Sequence, residues 1–341
     1  MRLLVTANHT PFIAGGADYH VNGLVDALRQ HGHQAELLRL PFHYGEAEIE
    51  RLMAFTEGLD LRRVNDVDID RVISLQFPGY GVNHPDHVVW LMHQHRACYE
   101  LYDPNNASPA LAALKPKVEA YDRHHLAKAS RRYANSPRVA ERLREYNGLA
   151  AQPLYHPPHR PERFTCAADW GYIFYPSRLE PLKRQALLIE AAAHLTTPVK
   201  LLIAGDGSQR HTLEAMIETL GVEDRVRLLG RISEAEKLTL YAHALAVAFP
   251  PFDEDYGYVT LEAMLSAKPV ISCTDSGGPT AFIEPGESGW ITSPTPEALA
   301  AACDAAWQDR RRTAEMGQAA RAVYAGLDIG WEAVIETLLS S

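Results

Sequence analysis

The stretch "YIFYPSRLEPLKRQALLIEAAAHLTTPVKLLIAG", residues 172–205, decides the fold. Its ends, YIFYPS and VKLLIAG, are apolar almost throughout, which is how strands read when both faces of a sheet are covered. Between them LKRQALLIEAAAHL has the length and the alanine and leucine content of a helix. The alternation then continues. Helices are expected in SQRHTLEAMIETLG, EAEKLTLYAHA and YVTLEAMLSA, and strands in RVRLLG, LAVAFP and PVISC. Strands of this kind separated by helices form a parallel sheet with helices on both faces.

The first half has the same grammar. RLLVTA reads as a buried strand, and Val21, Leu24, Val25 and Leu28 keep helical spacing after a glycine loop. DRVISLQ and HVVWLMH read as further strands, the second ending on His93. Asn135, Ser136 and Pro137 make a helix start with proline in the first turn. The proline-rich QPLYHPPHRPERF breaks every pattern, so we expect domains over 1–160 and 161–322, with a helix over 323–341 that packs back across the junction.

Composition excludes several functions. A chain of 341 residues with 46% hydrophobic and 22% charged residues is long enough for two buried cores. A formal net charge of −10 without a polybasic tail argues against a nucleic-acid partner. Four widely spaced cysteines without a CxxC pair fit a reducing, cytoplasmic setting. The N-terminal apolar run is too short for a signal-peptide core, and no eighteen apolar residues run together.

Ligands of open parallel sheets sit beyond the carboxyl ends of the strands, so the loops there carry the candidate site. Gly15 and Gly16 let backbone approach a ligand at a helix N-terminus, or form a plain turn. Arg178 and Lys183 suit a diphosphate, whose charge rises as it leaves; solvated surface cations are the alternative. The helix after Gly257 is apolar on nearly every side except at Glu262, and a buried carboxylate needs a partner. Its two acceptor oxygens match the two donors of a ribose diol. Glu254 reaches another part of the same ligand from the loop before. His93 could bond a substrate hydroxyl or be a satisfied structural histidine, and with His95 it could ligate a metal if both lay on one strand face. Asp253, Glu254 and Asp255 superficially make a DxD metal motif, though Asp253 and Asp255 read rather as solvent-facing companions of Glu254, while DVDID at 66–70 reads as a solvated edge.

Taken in order, GGADYHVNGLVDALRQHGHQAEL, NSPRVAERL, SRLEPLK, AGDGS, EDYGYVTLE, DSGGP and EPGESGW make the chain resemble the retaining family 4 glycosyltransferases, over nearly its whole length. The resemblance implies the GT-B fold, an α/β chain of two Rossmann-like domains facing each other across a cleft, with the C-terminal helix crossing back to the first. It implies a metal-independent retaining transfer from a nucleotide-diphosphate sugar, UDP- or GDP-linked, to an unidentified hydroxyl acceptor, without a cofactor. Other outcomes on the same fold are a catalytically silent sugar-nucleotide-binding subunit, an epimerase or a phosphorylase. By the resemblance Arg178 and Lys183 neutralise the diphosphate together with the amides of Gly15 and Gly16. Glu262 holds the ribose and Glu254 the donor sugar. The amides of Tyr256, Gly257, Tyr258 and Val259 hold sugar and phosphates, His93 lies by the reacting sugar, and the backbone at Arg231 and Ile232 contacts the base. Thr280 and Ala281 depart from the family, whose members often carry a glutamate shortly after the glycines. The more basic HQHR points to His95 or Arg96 reading an anionic group. The basic stretch from Lys115 to Arg144 allows a weak peripheral membrane contact, or is a solvated helix face.

Overall fold

The computed structural model describes residues 1–12 and 15–340; Ala14, which opens the glycine loop, lies outside them. Two compact units are formed, Met1–His156 with Gly330–Ser341, and Pro157–Ile329. In the first the chain runs β1 (Arg2–His9), α1 (Gly16–Gln30), β2 (Gln34–Pro41), α2 (Glu46–Glu57), β3 (Arg63–Val64), β4 (Val67–Asp68), β5 (Arg71–Ser74), β6 (His87–Leu91), α3 (Pro109–Lys128), β7 (Arg131–Ala134), α4 (Pro137–Asn147) and β8 (Gln152–Pro153). The second holds β9 (Tyr172–Pro176), α5 (Gln185–Ala192), β10 (Lys200–Ala204), α6 (Arg210–Leu220), β11 (Val226–Gly230), α7 (Glu234–His243), β12 (Ala246–Ala248), α8 (Tyr258–Leu265), β13 (Val270–Cys273), β14 (Gly289–Thr292), α9 (Pro296–Gln308) and α10 (Arg310–Gly326). The last helix, α11 (Trp331–Leu339), returns to the first unit.

Each unit is built on a six-stranded sheet, in the orders β2-β1-β5-β6-β7-β8 and β11-β10-β9-β12-β13-β14. The pairings within both are parallel, for example Thr6 opposite Ser74 and Phe174 opposite Val247. The central strands β5, β6 and β9 are buried at every position, in keeping with their largely apolar sequences, and the polar Arg71, Ser74 and His87 among them are buried as well. Both units are therefore Rossmann-like.

The stripe Val21, Leu24, Val25, Leu28 on α1 packs in one core with Trp90 of β6 and with Val334, Ile335 and Leu338 of α11. Gly23 leaves the room on α1 that the Trp331 indole fills. The buried Arg71 of β5 donates to the Leu338 carbonyl at 2.7 Å and pairs with Asp86 at 2.7 Å, so α11 is tied to the sheet by polar as well as apolar contacts.

Several elements differ from their sequence reading. β6 stops at Leu91, so His93 lies in the loop beyond and does not share a strand face with His95. β7, β8 and β14 are strands that short or arginine-bearing sequences concealed; Arg132 of β7 is carried by the carbonyls of Leu126 and Ala129. The acidic DVDID contributes to an exposed two-stranded hairpin, β3 with β4. The units change at Pro157 and again at Gly330, whereas residue 323 falls inside α10, which runs on to Gly326 before the chain turns.

Candidate active site at the carboxyl edge of the second sheet

The loop leaving β9 is held tightly by the loop leaving β10. Ser177 N–H donates to the Ala204 carbonyl at 2.9 Å and Leu179 N–H to that of Asp206 at 3.1 Å. Gly205, at φ +136°, passes so close to the Ser177 carbonyl that a Cβ there would collide with it, which explains the glycine in AGDGS. This clamp presents Arg178 exposed, and among the described residues no ion-pair partner takes its guanidinium. A short 3₁₀ turn, Pro181–Lys183, follows.

Lys183 and Glu254 form an ion pair, with the Lys183 ammonium 5.8 Å above the Phe249 ring. Arg184, which sequence reading passed over, staples this edge together. It pairs with both oxygens of Asp275 at 2.8 Å and donates to the carbonyls of Pro250 and Pro251 at 2.8 and 2.7 Å. The Glu254 loop is also strung along DSGGP: Glu254 N–H donates to the Ser276 carbonyl at 3.0 Å, and Gly278 N–H to that of Glu254 at 2.7 Å. The segment in which Thr280 and Ala281 depart from the family thus begins with backbone that supports Glu254. Asp253, expected beside it as a solvent-facing companion, is instead buried at φ +46° with its N–H on the Asp275 carbonyl.

Gly257, at φ +83°, opens α8, and a Cβ there would press on Phe249 at 3.0 Å and on Pro279. Tyr256 is buried against Tyr258 and Phe282 and, with Gly257, Tyr258 and Val259, surrounds the helix start, where first-turn amides have no acceptor within the helix. One turn on, Glu262 is 7% exposed and finds the partners its burial demands. Lys237 Nζ stands 3.0 Å from one oxygen, and the Tyr241 hydroxyl donates to the other at 2.8 Å. Burial and the neighbouring Glu262 push the Tyr241 hydroxyl well above its ordinary pKa. Burial pulls the Lys237 ammonium down, but Glu262 and Glu234 outweigh it and hold the group above its usual value. Neither residue was singled out in the sequence, where Lys237 reads as one charge on an amphipathic helix.

Arg231 is exposed and lies 3.1 Å from Asp206. With Ile232, Ala235 and Thr239 it lines a 470 Å³ cavity. Helical spacing puts Ala235 and Thr239 on the side of α7 away from Lys237 and Tyr241, so this cavity and Glu262 lie on opposite faces of that helix.

The first unit's candidates are differently furnished. His93 Nδ1 faces the Gln94 carbonyl at 2.7 Å. A carbonyl only accepts, so Nδ1 carries a proton in this contact. His95 stacks on Phe77 at 5.4 Å, and burial, then His93, brings its pKa down to about 4. Arg96 is bound to Glu100, and Arg142 reaches the same carboxylate at 3.3 Å. Neither His95 nor Arg96 is therefore an open cation. At the α1 N-terminus Gly15 N–H donates to the Asp18 carboxylate at 3.1 Å, which Arg39 neutralises at 3.0 Å, while Gly16 begins the helix. Within the basic stretch Lys115 pairs with Glu119, Lys117 with Glu50 and Arg138 with Glu141. Among the described residues no three His, Cys, Asp or Glu gather as metal ligands, and no helix is long and apolar enough to cross a membrane.

Residues 167–323 match the family described as glycosyl transferases group 1. The D-inositol 3-phosphate glycosyltransferase of Kineococcus radiotolerans is 29% identical over 197 residues, 52% of this chain and 45% of its own. The chain spans about half the length of the curated relatives it matches. Sucrose-phosphate synthase from Thermosynechococcus elongatus superposes with a TM-score of 0.79 at 17% identity, over 99% of this chain and 97% of that one. HepE from Anabaena, solved with UDP-glucose, superposes with a TM-score of 0.70 at 18% identity, over 99% and 98%. The two parallel six-stranded sheets carry the GT-B fold, and residues 167–323, a little under half of the chain, match the glycosyl transferases group 1 family.

Proposed function

We propose that this chain is a retaining glycosyltransferase that moves a sugar from a UDP- or GDP-sugar to a hydroxyl acceptor. The observation that carries this reading is the edge of the second sheet, where the Lys183–Glu254 ion pair, the exposed Arg178 and the start of α8 converge on loops clamped to one another. A nucleotide sugar needs its diphosphate neutralised, and a guanidinium, an ammonium and a helix N-terminus supply that charge. No metal is called for in this scheme.

On donor binding Lys183 exchanges Glu254 for a phosphate oxygen, and Glu254 turns to the hydroxyls of the sugar. The acceptor hydroxyl attacks the anomeric carbon from the side on which the phosphate leaves. The bond from that carbon to the phosphate oxygen breaks, the acceptor proton passes to a phosphate oxygen, and the nucleoside diphosphate departs. Glu262 holds the ribose, and the amides of Tyr256 to Val259 hold sugar and phosphate. The first unit, with His93, Gly15 and Gly16, is assigned acceptor recognition and support of the reacting groups on its resemblance to the family. The Anabaena neighbour's complex with UDP-glucose supports a nucleotide sugar as partner.

The test is a panel of UDP- and GDP-sugars read out as released nucleoside diphosphate, with and without EDTA. Turnover of at least one donor, with retained anomeric configuration and no loss in EDTA, is expected. Activity that disappears in EDTA and returns with a divalent ion overturns the metal-free scheme, and no turnover of any donor overturns the assignment.

A further inference from the structure

Glu234, Lys237 and Tyr241 fall at i, i+3 and i+7 on α7, which places them along one face of the helix. The Lys237 ammonium meets Glu262 at 3.0 Å and Glu234 at 3.3 Å, and it lies 5.6 Å above the Phe164 ring. A lysine whose side chain is 16% exposed is costly at such a position unless it is paired, and here it is paired twice. The Tyr241 hydroxyl, fully buried, takes the other oxygen of Glu262 at 2.8 Å.

The arrangement has a definite arithmetic of lone pairs. A carboxylate offers about two acceptor positions on each oxygen. Lys237 occupies a position on one oxygen and Tyr241 a position on the other. One position remains on each, which is the number and spacing that two adjacent hydroxyl donors require. A carboxylate free to rotate could serve one hydroxyl as well as two; a carboxylate held at both ends serves a vicinal diol.

We propose that Lys237, with Tyr241, is a specificity-determining positioning residue that fixes Glu262 to read both hydroxyls of a ribose, so that the donor site takes ribonucleoside diphosphates and rejects their 2′-deoxy counterparts. This rests on the reading that Glu262 faces the nucleotide ribose. Removing the 2′-hydroxyl leaves one oxygen of the carboxylate short of a donor in a buried site. Loss of a hydrogen bond to a charged group there corresponds to a preference of about tenfold to a hundredfold.

The experiment is calorimetric titration of the full chain with UDP, 2′-deoxy-UDP, GDP and 2′-deoxy-GDP. The proteins are the wild type, Lys237→Met, Lys237→Arg, Tyr241→Phe and Glu262→Gln, each checked by circular dichroism. For the base that binds, the wild type is expected to prefer the ribonucleotide by at least about tenfold. Lys237→Met and Tyr241→Phe should bring that preference to within about threefold, while Lys237→Arg, which keeps the charged donor, should retain it. If both Lys237→Met and Tyr241→Phe keep the full preference while Glu262→Gln loses it, the positioning role is overturned and the ribose reading stands. If Glu262→Gln keeps the preference too, or the wild type shows none or binds no nucleotide, the reading on which the inference rests fails with it. Should Lys237→Met not fold, Tyr241→Phe and Lys237→Arg decide the matter alone.

Discussion

The two sheets share one topology and differ at their carboxyl edges. Beyond β5, β6 and β7 of the first stand the amides Gln76, Gln94 and Asn135 and the imidazoles His93 and His95, and Arg96 is committed to Glu100. Beyond β9, β12 and β13 of the second stand the pairs Lys183–Glu254 and Arg184–Asp275 and the exposed Arg178, with Lys237–Glu262 on the helices above. The first edge is mostly neutral, and the second is crowded with paired charges that a charged ligand can rearrange. Topology offers a ligand a place at each edge; the loop residues decide what chemistry it could do there.

The largest test of this contrast is Lys183→Ala. If Lys183 meets the donor's diphosphate as proposed, its loss should lower kcat by about 10²–10³ in a donor-hydrolysis assay, while His93→Gln, at the other edge, should change it less. Equal losses from both would erase the distinction between the edges.

The second test uses acid. His87, bonded to Ser74 at 2.7 Å, is brought down to a pKa of about 4 by burial first and His84 next, and His95 falls to about 4 as well. These bases take up protons more readily when unfolded, so the stability they confer is full above about pH 6.5 and is lost as pH falls from there to about 4. Asp122, raised to about 7 by burial, works oppositely, its stabilisation being lost as pH rises from about 4 to 7. Two histidines outweigh the one aspartate, and the buried His20, whose pKa is also lowered by burial and then His156, adds to their side. The first unit should therefore lose at least roughly 3 kcal/mol between pH 6.5 and 4. Fluorescence of Trp90 and Trp331, with the other tryptophans replaced by phenylalanine, should report this as a transition preceding that of the second unit.

A smaller effect is expected at Asp304 on α9, whose carboxylate accepts the N–H groups of Thr196 and Thr197 at 2.9 and 3.0 Å and both hydroxyls at 2.6 Å. Asp304→Ala strands those donors and should cost about 2 kcal/mol in urea denaturation, confined to the second unit. The smallest is Lys117→Ala, which breaks an exposed pair with Glu50 and should change stability by less than about 0.5 kcal/mol.

Legibility followed the same divide. Short, largely apolar runs showed β5, β6 and β9 directly, and a lone acid in an apolar helix exposed Glu262, because burial of charge leaves a mark in a single segment. Lys237 and Tyr241 left none: their meaning lies in a pairing 21 to 25 residues away, and on their own helix they are one polar and one aromatic residue among many. Arg184 was hidden for a similar reason, its Asp275 partner standing 91 positions on. β7 was missed because arginines satisfied by local carbonyls look like a helix face in one dimension. Asp253 was misplaced because three acids in a row read as solvent-facing, when the loop's left-handed turn folds the first inward.

The return of α11 has a consequence for the order in which the molecule is made. The core of the first unit needs Val334, Ile335 and Leu338, and Arg71 waits 267 residues for the carbonyl it bonds. The second unit, by contrast, is a single uninterrupted stretch ending at Ile329. On a ribosome it has every residue of its own before the first can close its core. A domain begun first is thus finished last, and completion of the neutral edge follows completion of the charged one.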